Sequence, residues 1–166
     1  MDDYTNDDIA RLIGSPRTIK EAPRREMKEE NRHRRNDLVV ASGDGAEFDV
    51  FIRQSVDFGE DFSLGLVYRA PDGKRVTLVR FNGQHEQSSQ LFGSHPHFSY
   101  HIHKATAENL NAGRLEKHPA AVTDHYASFE EAIGEFLVAM NIQGWERYFP
   151  QAAPPMPLFR QNGEAQ

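Results

Sequence analysis

Histidines crowd one short stretch of the chain, HPHFSYHIH at residues 95–103. Histidine fills four of its five odd-numbered positions, namely His95, His97, His101 and His103. After Pro96, the even-numbered positions hold Phe98, Tyr100 and Ile102. Because side chains alternate between the two faces of a β-strand, the pattern predicts a strand with these three side chains toward the core and the imidazoles on the opposite face. Imidazole binds transition metals and exchanges protons near neutral pH, so that face is a candidate site.

A metal site on this strand can use only two of the histidines. Alternate residues start ~6.6 Å apart, and two imidazoles at that separation can converge on one ion at ~2.1 Å from each nitrogen. The stretch spans ~26 Å, which is too far for one centre. His101 and His103 form the better pair because they lie beyond Pro96, which disturbs a regular strand. Zinc, manganese, nickel or iron would suit such ligands. Candidate third ligands are His85, Glu86, Asp124 and His125.

The same residues also permit chemistry without a metal. Two imidazoles can share the general base and general acid roles in phosphodiester cleavage, and Arg80 or Lys104 could stabilise the charge that develops on the phosphorane. A structural interpretation also stands, because histidine is tolerated on a half-exposed strand face. Further candidate site residues are His85, His95, His97, Asn82, Thr106, Asp124 and His125. The chain has no GxGxxG, P-loop, HExxH or GxSxG motif, which leaves the nucleotide-binding and serine-hydrolase classes without support.

The segment before the histidines predicts the sheet that would position them. Apolar residues alternate in AEFDVFIRQ (46–54), DFSLGLVYRA (61–70) and KRVTLVRFN (74–82). Turn signals at 43–45, 71–73 and Asn82-Gly83 bound these runs. Period-two alternation between turn signals is typical of antiparallel strands. Together with LVVAS (38–42) and the histidine stretch, the runs predict a meander of four or five strands.

A C-terminal helix is the second predicted part of the core. Ser128 and Glu131 form a capping box, and apolar residues from Phe129 to Met140 recur at helical spacing. This stripe is expected to pack on the sheet. The predicted fold class is therefore α+β: a four- or five-stranded antiparallel sheet, packed by a helix over 128–142, with one or two N-terminal helices.

The N-terminal region predicts those helices and a basic segment. Thr5 and Asp8 predict the cap of a helix that ends at Gly14, and residues 18–36 predict a second helix that Pro23 interrupts. Residues 16–35 carry eight Lys or Arg and four Glu, which indicates a solvated helix with ion pairs or a surface for phosphate. The predicted organisation is an N-terminal helical and basic segment at 1–36, an α+β core domain at 37–149 and a Pro-rich, disordered tail at 150–166.

Composition limits the class of protein. The chain has 166 residues, a formal net charge of −6 and no cysteine, so disulfides, thiolate metal sites and a cysteine nucleophile are excluded. No apolar run approaches the ~20 residues of a membrane helix. The acidic start, MDDYTNDDIARL, is unlike a secretory signal, and a cytoplasmic protein is expected. The net acidity argues against a general affinity for nucleic acid.

The motifs RFNGQH (80–85) and HIHKAT (101–106) resemble an uncharacterised family of small bacterial and phage-associated proteins. That family combines an Arg-x-Asn-Gly-x-His-like strand end, a later His-x-His strand and a helix that ends in a Phe-Leu-x-x-x-Asn-Ile-like segment. The matching residues are Arg80, Asn82, Gly83, His85, His101, His103, Thr106 and the segment from Phe136-Leu137 to Asn141-Ile142. The resemblance covers residues 38–143. Weaker similarity to small toxins of toxin–antitoxin systems implies an activity directed at RNA.

These residues leave three functions open. In the first, a phosphodiesterase, ribonuclease-like toxin or metal-dependent hydrolase uses His101 and His103 as acid/base groups or metal ligands, while His85 completes the site and Arg80 binds phosphate. In the second, a non-catalytic module of a phage or bacterial defence system meets a protein partner, such as an antitoxin, through the histidine face, residues 16–35 or the tail at 150–166. In the third, a bound metal only stabilises the sheet.

Overall fold

A computed structural model of the protein describes residues 3–84, 99–114 and 119–152. Within these ranges it contains three helices and nine strands. The helices are α1 (Asn6–Gly14), α2 (Ala107–Asn111) and α3 (Phe129–Ala139). The strands are β1 (Arg17–Glu21), β2 (Lys28–Glu30), β3 (His33–Ser42), β4 (Glu47–Ser55), β5 (Phe62–Arg69), β6 (Arg75–Asn82), β7 (His101–Lys104), β8 (Ala120–Val122) and β9 (Ile142–Gln143).

All nine strands of the described residues belong to one sheet. Its order is β8-β7-β6-β5-β4-β3-β1-β9, and β2 also pairs with β3. The pairing is antiparallel except between β1 and β9, which run parallel. The predicted α+β class and antiparallel sheet are confirmed, whereas four or five strands were too few. None of the helices in the described residues has the length and apolar character needed to cross a membrane.

The core lies on one face of this sheet, which we call the helix face. Val50 of β4 pairs with Leu38 on one side and Leu66 on the other, and all three are buried. Helix α3 packs here, and the ring of Phe136 meets that of Phe81 edge-on with centroids 5.2 Å apart. The apolar stripe of the helix therefore packs on the sheet as its spacing predicted.

The two capped helices begin where the sequence predicted. The Thr5 hydroxyl accepts a hydrogen bond from the backbone N–H of Asp8, and the Asp8 carboxylate accepts one from the N–H of Thr5. At α3, the Ser128 hydroxyl accepts from the N–H of Glu131. These bonds satisfy N–H groups that the first turn of a helix leaves without partners.

The helix predicted over residues 18–36 is wrong. The segment instead forms β1, β2 and the start of β3, and β1 and β2 pair with β3 on the same side. Asn31 and Arg32 both take positive φ, 50° and 63°, and make a two-residue hairpin turn between β2 and β3. This stretch has almost no apolar stripe with which a helix could dock, whereas β3 offers backbone partners along its length.

An irregularity in β6 decides which of its residues face the core. Leu66 pairs with Val79 but Val67 pairs with Thr77, so Leu78 is an extra residue in the ladder. Leu78 and Val79 are both buried as a result. A bulge of this kind reverses the alternation along the rest of the strand. Beyond it, Arg80 and Asn82 point away from α3.

The third predicted strand ends at Asn82-Gly83 as expected, because β6 ends at Asn82. The N–H of Gly83 donates to the carbonyl of Phe62 at 2.9 Å, and the N–H of Gln84 donates to that of Glu60 at 2.9 Å. The ladder between β5 and β6 therefore continues past the end of β6. A Cβ atom on Gly83 would lie 1.8 Å from the carbonyl oxygen of Glu60, so close packing explains this glycine.

Candidate active site on the outer face of the sheet

β7 places two of the predicted histidines on the outer face, which is the face opposite α3. His101 pairs with Asn82 of β6, and His103 pairs with Arg80. On the other side of the chain, the Tyr100 ring stacks on that of Phe62 with centroids 5.9 Å apart. The predicted alternation is thus confirmed over these residues. The remainder of the predicted strand, with His95, His97 and Phe98, lies outside the described residues.

His101 is wholly buried, at 0% exposure, although a half-exposed position was expected. Its Nδ1 lies 2.7 Å from the carbonyl oxygen of Ser99. Because a carbonyl oxygen only accepts, Nδ1 carries the proton. In the neutral ring, Nε2 then holds the lone pair. The backbone therefore fixes both the tautomer and the orientation of this imidazole.

His103 is the more accessible of the two histidines. It is half-buried, and its ring lies edge-to-face with that of His101, with centroids 5.0 Å apart and an interplanar angle of 76°. The His103 side chain is therefore partly accessible to solvent, whereas burial separates His101 from it. The two histidines consequently have different roles available to them.

Arg80 lies directly across the ladder from His103. It is half-buried, its Nε is inaccessible to solvent, and its guanidinium makes no hydrogen bond or ion pair within the described residues. On the same face, Arg53 binds Asp37 at 2.8 Å and Arg69 binds Asp49 at 2.5 Å. Within residues 3–84, 99–114 and 119–152, Arg80 therefore lacks the carboxylate partner that those neighbours have.

Two further side chains complete the group. Ser63 pairs with Asn82, which in turn pairs with His101, so the three lie in one row across the outer face. The Ser63 Oγ and the Asn82 Oδ1 are inaccessible to solvent and have no hydrogen-bond partner among the described residues. Buried polar groups without partners are uncommon and often mark functional positions. The histidine cluster, as we use the term, comprises Ser63, Arg80, Asn82, His101 and His103.

Sequence reasoning missed Ser63. Its signal is the alternation in FSLGLVY, where Ser63 and Gly65 fall between buried residues and so belong to the outer face. Gly65 has a local role, since a Cβ atom there would lie 2.2 Å from the ring of Phe51. That ring covers the glycine beside Arg80 and provides an apolar wall next to the cluster.

Tyr126 holds the β6–β7 pair from the helix face, and the Tyr100 ring lies beside it with centroids 5.4 Å apart. The Tyr126 hydroxyl lies 2.9 Å from the carbonyl oxygen of Asn82 and 3.1 Å from that of His101. Burial raises the pKa of Tyr126. Burial, followed by a hydrogen bond to the Glu60 carboxylate, raises the pKa of Tyr100 to about 12. Both hydroxyls therefore stay protonated and can donate at neutral pH.

Other predicted site residues lie elsewhere. The Thr106 hydroxyl caps α2 by accepting from the N–H of Asn109. Lys104 is exposed, and with His125 it lines a depression of about 480 Å³ on the helix-face side of β7 and β8. Asp124 is exposed in the loop after β8. His85 and Glu86 lie outside the described residues.

A complete metal centre is not present in the parts of the chain that the structure describes. Residues 3–84, 99–114 and 119–152 contain no group of three or more His, Asp or Glu side chains that could hold a metal ion. His101 and His103 supply at most two ligands, and the candidate third ligands Asp124 and His125 do not join them in such a group.

Comparisons of the chain with protein families, with curated proteins and with solved structures find no match. The resemblance of RFNGQH and HIHKAT to a family of small bacterial and phage-associated proteins therefore stays a prediction, as does the similarity to toxins of toxin–antitoxin systems.

Proposed function

We propose that the protein is a ribonuclease-like phosphodiesterase whose active site is the histidine cluster. The observation that supports the proposal is the pairing of His103 with Arg80, because it sets a proton-transferring group beside a cation that has no ion pair among the described residues. Directly opposed side chains on neighbouring strands start ~5 Å apart, which matches the span of one phosphate group. His103 is the catalytic residue, Arg80 binds the phosphate, and His101 is a positioning residue.

The chemistry requires one proton carrier and one anion ligand. Neutral His103 accepts the proton of a ribose 2′-hydroxyl while the 2′ oxygen forms a bond to phosphorus. The bond from phosphorus to the 5′ oxygen then breaks, and His103 returns the proton to that oxygen. The products are a 2′,3′-cyclic phosphate and a free 5′-hydroxyl. Arg80 stabilises the additional negative charge on the phosphorane oxygens.

His101 acts through His103. Its backbone contact at Ser99 fixes the ring, and the edge-to-face contact transmits that orientation to His103. Asn82 and Ser63 lie in the same row as His101 across the outer face. Orientation of a proton carrier by a neighbouring group is a general requirement for efficient proton transfer.

A metal-dependent hydrolase is the second candidate. It is favoured by the Nδ1 contact of His101 with a backbone carbonyl, because metal-binding histidines commonly hold their second nitrogen in this way. His101 and His103 would then bind zinc, manganese, nickel or iron together with a third ligand from outside the described residues. In this candidate, the bound metal would activate a water molecule as the nucleophile.

The test is cleavage of a fluorogenic RNA oligonucleotide by untagged protein in the presence of EDTA. We expect cleavage by the natural chain and a loss of at least about 100-fold in His103→Ala, which is the lower range for removal of a general acid or base. Arg80→Gln should also be slowed, and the product should carry a cyclic phosphate. The matched control is His33→Ala, because His33 is exposed at the start of β3.

Three outcomes separate the alternatives. Undiminished cleavage by His103→Ala, or no cleavage by the natural chain in any buffer, would refute the ribonuclease proposal. Activity that EDTA abolishes and one divalent metal restores would favour the hydrolase, and elemental analysis should then find that metal in the natural protein but not in a His101→Ala/His103→Ala variant. Equal losses in His103→Ala and His33→Ala would assign the effect to folding.

A further inference from the structure

The helix-face side of the molecule carries a second feature, which lies away from the histidine cluster. A cleft of about 840 Å³ opens between the segment before β2, the start of α3 and the segment after β9. Four arginines line it, namely Arg24, Arg25, Arg34 and Arg147. Its apolar lining includes Ile52, Phe129, Ile133 and Phe149. We call this feature the arginine cleft.

The four arginines differ from most others in the protein. Arg32, Arg35 and Arg53 each form an ion pair with a carboxylate. None of the four cleft arginines has an ion pair within the described residues, and all four are exposed. Glu130 is the one acidic residue among the described residues that line the cleft. A chain with a formal net charge of −6 thus concentrates unpaired positive charge at one concave site.

The rim that carries Arg24 and Arg25 is held in place by a buried amide. The Asn36 Nδ2 donates to the carbonyl oxygen of Arg24 at 2.9 Å, and the Asn36 Oδ1 accepts from the N–H of Arg24 at 2.9 Å. Asn36 belongs to β3 and is 4% exposed, so its two hydrogen bonds tie the backbone of this loop to the buried part of the sheet. The arginines therefore project from an ordered backbone.

The opposite rim is fixed by helix α3. A Cβ atom on Gly134 would lie 2.3 Å from the carbonyl oxygen of Ala152, which shows how closely the segment after β9 approaches the helix. Successive turns, from Trp145 to Phe149 and from Phe149 to Ala152, order this segment. Within it, the guanidinium of Arg147 lies over the ring of Tyr148, 4.9 Å from its centroid. The pair presents one flat, positively charged surface.

These features together define the chemistry of a ligand. The guanidinium group of arginine donates paired hydrogen bonds to phosphate oxygens, and both aromatic rings and guanidinium planes stack on nucleobases. The volume falls in the range of ~300–1,000 Å³ found for small-molecule sites. From these observations we propose that the arginine cleft binds a nucleotide, either free or at the end of an RNA strand. The proposal is independent of the function assigned to the histidine cluster.

The experiment uses the full chain and two nucleotide probes, ATP and a fluorescein-labelled 2′-O-methyl octanucleotide, which cannot be cleaved by attack of a 2′-hydroxyl. A Glu-rich octapeptide is the competing probe. Binding is measured by calorimetry and fluorescence anisotropy at a fixed, near-physiological salt concentration. We expect Arg24→Gln/Arg34→Gln/Arg147→Gln to bind the preferred nucleotide probe at least about tenfold more weakly, as expected for the loss of charge-assisted hydrogen bonds.

The control removes the same charge elsewhere. Arg11→Gln/Arg32→Gln/Arg114→Gln alters three exposed arginines outside the cleft and should leave the affinity unchanged. His103→Ala should bind ATP with unchanged affinity, which separates this site from the proposed active site. Tighter binding of ATP would indicate that the ligand is a free nucleotide. Tighter binding of the octanucleotide would indicate that it is the end of an RNA strand. If the melting temperature of the triple cleft variant is lower than that of the natural chain, the single change Arg147→Gln at an exposed position replaces it in the experiment.

Three results would overturn the proposal. One is the absence of binding of either nucleotide probe to the natural chain at millimolar concentration. Another is an equal loss of affinity in the cleft and control variants, which would indicate a general electrostatic effect. The last is cleft-dependent binding of the Glu-rich peptide without binding of nucleotides, which would make the cleft a protein interface.

Discussion

At the scale of single residues, Arg17 shows how one buried charge joins two helices. It is 1% exposed, and its guanidinium lies 4.2 Å from the centre of the Phe48 ring. It donates to the carbonyl oxygens of Ile13 at 2.9 Å and Met140 at 2.6 Å, which lie at the ends of α1 and α3. Burial lowers the pKa of Arg17 to about 10, so the group remains charged at neutral pH. A cation at the carbonyl end of a helix is favourable, and here two helices share it.

Replacing Arg17 by methionine should therefore destabilise the protein strongly. The change keeps an apolar stem but leaves the carbonyls at the ends of α1 and α3 without their donor. We expect the free energy of unfolding to fall by about 3 kcal/mol or more, since hydrogen bonds to a charged group contribute about 1.5–3 kcal/mol each. Urea denaturation measures this change.

The matched control for Arg17→Met is Arg11→Met. The Arg11 side chain is 67% exposed and forms an ion pair with Asp8 on the surface of α1. Exposed ion pairs contribute little, so its unfolding free energy should change by no more than about 0.5 kcal/mol. Equal losses in the two variants would show that the buried network has no special importance.

At the scale of elements, the ladder between β5 and β6 depends on Gly83. A Cβ atom there would lie 1.8 Å from the carbonyl oxygen of Glu60 and 2.8 Å from the ring of Phe62. Gly83→Ala must push these groups away and disturb the neighbouring Asn82. We expect a loss of about 1–3 kcal/mol in unfolding free energy, together with reduced RNA cleavage. In contrast, Gly43→Ala meets no atom within 4 Å and should leave both properties unchanged.

The elements also show what the sequence predicted and what it did not. Phe48, Val50 and Ile52 share one face of β4. This was predictable because a strand with one buried face places every second side chain in the core, so apolar and polar residues must alternate. Pattern did not identify the strands within residues 18–36, because a segment rich in charged residues is compatible with either a solvated helix or an edge strand. Pairing with β3 decided the outcome, and pairing is a long-range event that local propensity does not encode.

The candidate site was also predictable only in part. Alternation correctly placed His101 and His103 opposite Tyr100, and the break in VTLVRFN, where Leu78 and Val79 are both apolar, signals the bulge that turns Arg80 to their face. The burial of His101 was not predictable, because it depends on how neighbouring chain segments pack. The arginine cleft was also hidden, since Arg24 and Arg147 are far apart in the sequence.

At the scale of the whole molecule, the segment before β2 and the segment after β9 meet at the arginine cleft, and Gly134 of α3 packs against the second of them. In an isolated helix, Gly→Ala is favourable by up to about 1 kcal/mol. Here the new methyl group would lie 2.3 Å from the carbonyl oxygen of Ala152, so the segment that carries Arg147 must move away from α3. We expect Gly134→Ala to lower the melting temperature and to weaken nucleotide binding, although Gly134 does not line the cleft.

The sign of the Gly134 effect makes this prediction decisive. Calorimetry gives the melting temperature and the affinity on the same sample. Gly14→Ala is the control, since Gly14 ends α1 and has no atom within 4 Å of an added Cβ. A stabilised Gly134→Ala variant with unchanged affinity would mean that helix propensity outweighs the contact at Ala152. A destabilised variant with weaker binding would show that packing between α3 and the C-terminal segment shapes a site whose other rim is built from the N-terminal strands.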